Sequence, residues 1–175
     1  MASLREYLCA YTEYNQWANE QIIDTVGRLP DEEYYRPVLP KTRSIHELLN
    51  HVLVMDKLWL AENRGIELEL TSGMQILHED RGGLVADRRA TDKELVALVS
   101  GFTDKDLEAI LYCDEPEDDL TEWPFMFEAA HVFRHQVHHR GQITVLLQNT
   151  SIGSPKLDNL FVPQRFREAQ AAARQ

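Results

Sequence analysis

The segment spanning residues 127–148 constrains the fold most, because on a helical wheel its apolar residues surround the axis almost completely. A helix of this kind is buried among other helices. One polar stripe, about 80° wide, interrupts the apolar surround. Unpaired buried polar groups cost about 1–3 kcal/mol each, so the stripe needs a shared partner, and a metal ion supplies one. In angular order, the stripe contains His131, Gln142, His135, Glu128 and His139.

Two further long helices are marked by apolar residues that recur at spacings of three and four. The first covers residues 4–26, opens with a capping-box sequence at residues 3–6 and ends at Gly27. The second opens with the capping-box sequence of residues 44–47 and ends before Gly65. Both segments are long enough to span a small helical domain.

A third helix precedes Gly101, but its start is open. The glycine pair 82–83 marks either its beginning or a break in the preceding loop, and residues 91–94 form another candidate capping box. Residues 103–107 predict one more short helical turn. Four main helices joined by loops of moderate length predict an all-α fold, a four-helix bundle.

A small β-hairpin is predicted before the last long helix. Residues 109–113 and 120–125 would form its strands, and an acidic turn at residues 114–119 would join them. The spacing of the acidic residues matches no calcium loop, so we interpret the turn as solvated. The whole chain, residues 1–175, is predicted to form a single domain with a short C-terminal helix that carries the last arginines.

Charge and composition exclude several classes of function. The chain carries 18 basic and 29 acidic residues, a net charge of −11, which repels nucleic acid and anionic lipid. No apolar run approaches the roughly 18–20 residues that cross a bilayer. Two cysteines and the lack of a secretory pattern near the N-terminus predict a reduced, cytoplasmic setting. The expected partner is therefore a small molecule, without nucleic acid or membrane.

Three histidines compete for two ligand positions on the last helix. His135 lies at the centre of the polar stripe, and His131 and His139 flank it by about 40° on either side. Gln142 favours His139, because its amide would lie within reach of a ligand or substrate there, but the wheel leaves the choice open. A third ligand has to come from another segment. His51 is the best candidate, since its apolar neighbours mark a face that packs on other helices.

Supporting residues are less sharply indicated, and no catalytic residue is identified. Asn15 interrupts the apolar stripe of the first helix, so it either faces the metal cavity or sets the helix register. Glu128 and Gln142 either orient a ligand, act as a base, or make ordinary hydrogen bonds inside the bundle. Arg140 points about 140° away from His135 and is interpreted as contacting a partner helix or a second copy.

Three motifs resemble the DinB/YfiT-like superfamily of metal-dependent proteins. They are Tyr-Asn-Gln-Trp-Ala-Asn at residues 14–19, Ser-Ile-His-Glu-Leu-Leu-Asn-His at 44–51, and His-Gln-Val-His-His-Arg-Gly-Gln at 135–142. The resemblance runs from the first helix to the fourth and therefore covers nearly the whole chain. It implies a bundle of up-down-down-up topology, often assembled as a homodimer.

The resemblance also implies a three-histidine divalent-metal site, whose ligands match His51, His135 and His139. Members with assigned activities are largely transferases or isomerases that use low-molecular-weight thiols, and others are described as hydrolases. We therefore expect a metal-dependent enzyme that activates water or such a thiol as co-substrate. The alternatives are a non-catalytic, metal-stabilised helical dimer acting in a stress response, and a plain helical dimer with core histidines. Imidazole ligands suit zinc or nickel, and iron, copper and manganese stay open.

Overall fold

The computed structural model describes residues 3–112 and 122–158. Four long helices make up most of the described chain, and two short helices and a two-stranded hairpin lie between them. This architecture confirms the all-α prediction. The elements are α1 (Leu4–Val26), α2 (Asp31–Tyr35), α3 (Ile45–Asn63), α4 (Arg81–Gly101), α5 (Asp104–Glu108), β1 (Ile110–Tyr112), β2 (Glu122–Pro124) and α6 (Phe125–Gln148).

Side-chain contacts between the long helices define the topology as up-down-down-up. Helix α4 runs antiparallel to α1 and parallel to α3, while α6 runs antiparallel to α3, so the two central helices in the chain point the same way. The resulting bundle matches the topology that the resemblance implied. The pairs that establish these directions are Arg5 with Ser100 and Asn19 with Asp92 (α1 and α4), Asp56 with Arg88 and Arg64 with Glu94 (α3 and α4), and His51 with His139 and Asp56 with Gln136 (α3 and α6).

The helix starts follow local side-chain chemistry. Ser3 and Ser44 form the two predicted capping boxes at the N-termini of α1 and α3. Helix α4 begins instead after Asp80, whose carboxylate accepts a hydrogen bond from the backbone N–H of Gly83. A Cβ atom at Gly83 would lie 2.8 Å from that carboxylate, which explains why glycine occupies the first turn.

The candidate capping box at residues 91–94 is therefore wrong. These residues lie in the middle of α4, where Thr91 and Asp92 are buried and the helix continues through them. Helix α2 was not predicted, because five residues are too few to show a helical period. It nevertheless buries Tyr34 in the core next to His46 of α3.

The connection before α6 has the predicted form with shorter strands. Helix α5 is capped by Thr103, and β1 pairs antiparallel with β2 in the register Leu111 to Trp123. The acidic turn and the C-terminal arginine-bearing helix lie outside the described residues. Within the described residues, none of the helices combines the length and apolar character needed to span a lipid bilayer.

Candidate metal centre

Three histidine rings from two helices converge at the interface of α3 and α6. The ring centroids of His51 and His135 are 5.0 Å apart, those of His51 and His139 4.5 Å, and those of His135 and His139 4.4 Å. Each ring offers a nitrogen such that all three nitrogens lie within 4.8 Å of one another. A spacing of four residues on α6 places two rings one turn apart, and the antiparallel helix α3 brings the third opposite them. We refer to these three residues as the histidine centre.

The backbone of the loop between α3 and α4 orients the first ring. Nδ1 of His51 lies 2.6 Å from the carbonyl oxygen of Gly73. A carbonyl oxygen only accepts hydrogen bonds, so Nδ1 carries the proton and Nε2 carries the lone pair. The donor nitrogen is therefore the one that points at the other two histidines.

A glutamine on α6 orients the second ring in the same way. Nδ1 of His139 donates a hydrogen bond of 2.8 Å to Oε1 of Gln142, and Nε2 of Gln142 donates one of 3.1 Å to Nε2 of His138. This chain of donors leaves the lone pair of His139 on Nε2. Residues that hold a ligand histidine through its second nitrogen are typical of metal sites, where they set the tautomer and the ring direction.

The two Nε2 atoms of His51 and His139 are 3.1 Å apart, and in the neutral tautomers that Gly73 and Gln142 favour both of these atoms carry lone pairs. Two lone pairs at this distance repel unless positive charge lies near both. Two imidazole nitrogens that each lie about 2.0–2.1 Å from one zinc ion, at roughly 100–110° to each other, are separated by about 3.1–3.4 Å. The observed separation therefore fits two ligands of a single divalent ion.

The third ring is the most protected from water. Burial and the neighbouring histidines lower the pKa of His135 to about 4, and burial also lowers the pKa of His139. Protonation of these two rings therefore does not supply the positive charge at neutral pH. Nδ1 of His135 is buried and has no hydrogen-bond partner in the described part of the chain. The donor set consists only of imidazole nitrogens and includes a buried nitrogen without a partner among the described residues, so it fits a divalent metal.

A cavity of about 660 Å³ opens beside the histidine centre. His51 and His139 form part of its wall, together with Gln142 and His138. The cavity gives small molecules a path to two of the three ligand residues. A purely structural metal site is normally closed by four protein ligands, whereas a catalytic site keeps a position for water or substrate.

The other residues proposed from the sequence lie elsewhere. The ring of His131 is exposed and its centroid is 6.3 Å from that of His135, so the structure groups His139, and not His131, with the other two histidines. Glu128 is half-buried two turns before His135, and burial of Glu62, together with the charge of Glu128, raises the pKa of Glu62. Gln142 alone among the three supporting candidates touches the centre directly.

Asn15 belongs to a second polar cluster, whose members on α6 directly follow the ligand histidines in the sequence. There, Arg140 donates hydrogen bonds to Oδ1 of Asn15 and of Asn19, so Arg140 contacts a neighbouring helix as predicted. The sequence pattern did not indicate how many polar groups share this interior. We refer to the following residues together as the buried network: Asn15, Asn19, Asp56, Arg88, Asp92, Gln136 and Arg140.

Charges within the buried network balance. Two carboxylates, Asp56 and Asp92, face the guanidinium group of Arg88, and Arg140 supplies a second positive charge. Burial raises the pKa of Asp56 to about 6 against the opposing effect of Arg88. Asp56 Oδ1 and Arg88 Nε lack hydrogen-bond partners within the described residues. Positions on α1, α3, α4 and α6 that looked merely amphipathic therefore carry an ionic core.

Comparison with known proteins places the chain in a family. The sequence profile of the DinB family matches residues 3–165. Protein DinB of Bacillus subtilis (strain 168) is 26% identical over 153 residues, which cover 83% of this chain and 87% of that protein. The crystal structure of a DinB-like protein from Bacillus cereus ATCC 10987 superposes with a TM-score of 0.57 at 22% identity, covering 80% of this chain and 91% of that one. The extent of the profile match, together with this likeness of fold, leads to one conclusion: the chain belongs to the DinB family.

Proposed function

We propose that the protein is a divalent-metal-dependent enzyme in which His51, His135 and His139 hold the ion. Water or a low-molecular-weight thiol would attack a small-molecule substrate in the adjacent cavity, in a reaction of the thiol-transferase or hydrolase type. The observation that carries the proposal is the convergence of three imidazoles, with the Nε2 atoms of His51 and His139 3.1 Å apart, in the wall of an open cavity. Family membership supports a metal site of this kind.

The residues around the ion prepare it for chemistry. Held by three neutral imidazoles, a divalent ion keeps its full charge, lowers the pKa of a bound water or thiol, and polarises a carbonyl group. Gly73 and Gln142 hold two of the rings with their lone pairs towards the common centre. Their hydrogen bonds make the site ready for metal before the ion arrives.

The cavity provides the space that the reaction needs. Leu48 and Val145 contribute apolar surface close to His51 and Gln142, so a bound substrate would lose much of its contact with water. Electrostatic effects become stronger when water is excluded. His138 also lines the cavity, and its hydrogen bond with Gln142 links it to the ring of His139. It is the residue best placed to move a proton between the cavity and solvent.

Elemental analysis of the purified protein is the first test. We expect one equivalent of a divalent metal in the wild type, and its loss from His51→Ala and His135→Ala. His131→Ala is the matched control, because it removes an imidazole from the same face of α6 outside the centre. Stoichiometric metal in both ligand variants would contradict the assignment.

Cobalt(II) substitution then distinguishes an open site, which leaves a coordination position accessible to small molecules, from a closed site, in which protein ligands fill every position. Titration of the cobalt protein with a low-molecular-weight thiol should produce a sulfur-to-metal charge-transfer band, because the cavity leaves a position accessible. Metal at full occupancy, with a spectrum that no thiol, azide or other small anion changes, would instead identify a non-catalytic, metal-stabilised protein. A screen for thiol transfer and ester or amide hydrolysis follows only if the site proves open.

A further inference from the structure

The cavity beside the histidine centre has an unusual charge. Lys41 and Arg43, on the loop between α2 and α3, line the same cavity as His51 and His139. Among the described residues, no aspartate or glutamate lines it, although the full chain carries 29 acidic against 18 basic residues. A concave surface lined by charge of one sign raises the local concentration of ligands of the opposite sign. The cavity is therefore a basic site on an acidic protein.

Lys41 is held in a conformation that its residue type does not favour. Its φ angle is 63°, in the left-handed region, and it is the one non-glycine residue with positive φ among the described residues. It follows Pro40 in a tight turn that the backbone N–H of Thr42 closes onto the carbonyl oxygen of Leu39. Glycine or asparagine is the usual residue at this position of such a turn. Backbone strain of this kind concentrates at ligand-binding sites, and here it places a cation at the cavity.

Neither cation forms an ion pair within the described residues. Lys41 and Arg43 are both exposed, and no carboxylate lies within salt-bridge distance of either in that part of the chain. Hydrogen bonds from Ser44 in the capping box of α3 are the main cause of the lowered pKa of Glu47, and the charge of Arg43 makes a smaller contribution in the same direction. The two positive groups are therefore available to a ligand.

The rest of the cavity wall is mainly apolar. Besides the cations and the histidines, the wall contains apolar side chains from the α2–α3 loop, α3, the loop after α3, and α6. A ligand that contacts these side chains as well as the cations and the histidines would need an apolar body and two polar ends. These apolar residues are Leu39, Leu48, Met74, Val145 and Leu146.

We propose that the cavity selects amphiphilic anions, with an apolar body against this wall and an anionic group held by Lys41 and Arg43. The metal-seeking end of the ligand, or the bond to be attacked, then faces His51 and His139. This inference rests on the proposed function, because it describes the substrate of the same metal centre. Lys41 and Arg43 are specificity-determining residues, which bind the anionic end and take no part in the chemistry.

A matched pair of thiols tests the charge preference. The probes are 6-mercaptohexanoate and 6-mercaptohexan-1-ol, which share the thiol and the chain and differ in the charge at the far end. In the cobalt-loaded wild type, the charge-transfer band should saturate at a concentration about fivefold lower for the acid, and added salt should reduce this preference. Equal affinities for the acid and the alcohol would overturn the proposal.

Substitutions assign the preference to the two cations. The double variant Lys41→Gln, Arg43→Gln should bind acid and alcohol equally, with unchanged affinity for the alcohol. Arg36→Gln is the control, because it removes one positive charge from an exposed arginine that pairs with Glu32 outside the cavity. It should retain the wild-type preference. A preference that survives in the double variant would refute the assignment.

A thiol-free pair separates this inference from the metal assignment. If the protein binds no metal, the proposed function fails, but 4-phenylbutyrate and 4-phenylbutan-1-ol still report the charge preference through amide chemical shifts in NMR titrations. We expect shifts at Gly141 and Val145 at lower concentration of the acid. Equal titration by both compounds would overturn the proposal independently of any metal.

Discussion

The histidine centre and the buried network share helices α3 and α6, but the network also extends to α1 and α4, and the polar groups of the two clusters are satisfied in different ways. Both bring α3 and α6 together, and their members alternate along α6, where Gln136 directly follows His135. Within the network, the negative charges of two carboxylates are balanced by the positive charges of two guanidinium groups. The histidine centre groups three imidazoles, with neither a carboxylate nor a guanidinium group among its members. A polar cluster that is balanced internally holds a fold together, whereas one that is incomplete and open binds something.

The environments of the two clusters reinforce this difference. Every member of the network is buried, so ligands have no route to it. The histidines are only half-buried, and two of them line a cavity. Because a helix turns by about 100° per residue, neighbouring positions face different surroundings. The same stretch of α6 therefore supplies both clusters without mixing them.

Breaking the buried network should have the largest effect. Arg88→Met leaves Asp56 and Asp92 buried without their main positive partner, which typically costs about 3–5 kcal/mol of the free energy of unfolding. Urea unfolding followed by circular dichroism measures the change. Arg89→Met is the matched control, since the adjacent arginine forms exposed ion pairs with Glu20, worth at most about 1 kcal/mol. Similar costs for the two variants would remove the distinction between the network and the surface.

Supplying the missing cation should stabilise the histidine centre. A divalent ion at about 100 times its dissociation constant adds about 2.7 kcal/mol to the free energy of unfolding, because it binds the folded chain alone. Thermal unfolding with metal and after chelation with EDTA measures this gain. His135→Ala should unfold at the same temperature in both conditions. An equal gain in that variant would place the ion elsewhere.

Removing the support of one ligand should weaken metal binding without abolishing it. Gln142→Ala leaves His139 in place but removes the acceptor of its Nδ1–H, and comparable losses lower metal affinity by about 10- to 100-fold. Competition with a chromophoric chelator measures the affinity. Gln148→Ala, at the exposed end of α6, should bind metal like the wild type. If Gln142→Ala also binds like the wild type, the hydrogen bond has no role in orienting the ring.

The smallest of these effects is expected for pH. The contributions of the two clusters to the free energy of unfolding should change in opposite directions as the pH changes. In the metal-free protein the pKa of His135 is about 4 in the folded state, below its ordinary value of 6.5. The unfolded chain therefore binds more protons between these values, so this ring's contribution to stability is lost as pH falls from 6.5 to 4. Solvent screening limits the loss to about 1–2 kcal/mol.

Asp56 should act in the other direction. Its pKa is about 6 in the folded state, above the ordinary 3.8. Its contribution to the free energy of unfolding therefore falls as pH rises from 3.8 to 6. Urea unfolding of metal-free wild type and His135→Ala between pH 4 and 7 separates the two. The variant should lose less stability than the wild type on acidification. Parallel curves would show that His135 is not kept neutral by its surroundings.

Local chemistry made much of the fold predictable. The capping boxes at Ser3 and Ser44 identified two helix starts, because a side chain three residues from the cap decides them. The start of α4 was ambiguous, since Asp80 and the glycines after it also fit a loop. Helix α2 was missed because a five-residue helix depends on burying Tyr34 rather than on its own period.

The candidate site was predictable in its residue types but not in its partners. The polar stripe on α6 is a property of 3.6-residue periodicity, so the sequence alone places His131, His135 and His139 near one another. The wheel could not choose between the two flanking histidines. That choice depends on how α3 packs against α6, which sets His51 opposite the turn of His139. Helix packing also explains why Asn15 belongs to the buried network, since it contacts Arg140 across a helix interface.

The sequence by itself determined the class of the protein, namely helices with apolar faces, a histidine-rich stripe on the last of them, and a net charge that repels nucleic acid. These are properties of single segments and of composition, and they do not depend on how the segments meet. Tertiary structure alone decided which polar residues balance one another in the interior and that Lys41 shares a cavity with the histidines. The family resemblance implied the grouping of His51, His135 and His139, but helical periodicity by itself could not select it. Contacts between residues far apart in the chain depend on helix register and packing, and no local pattern encodes either.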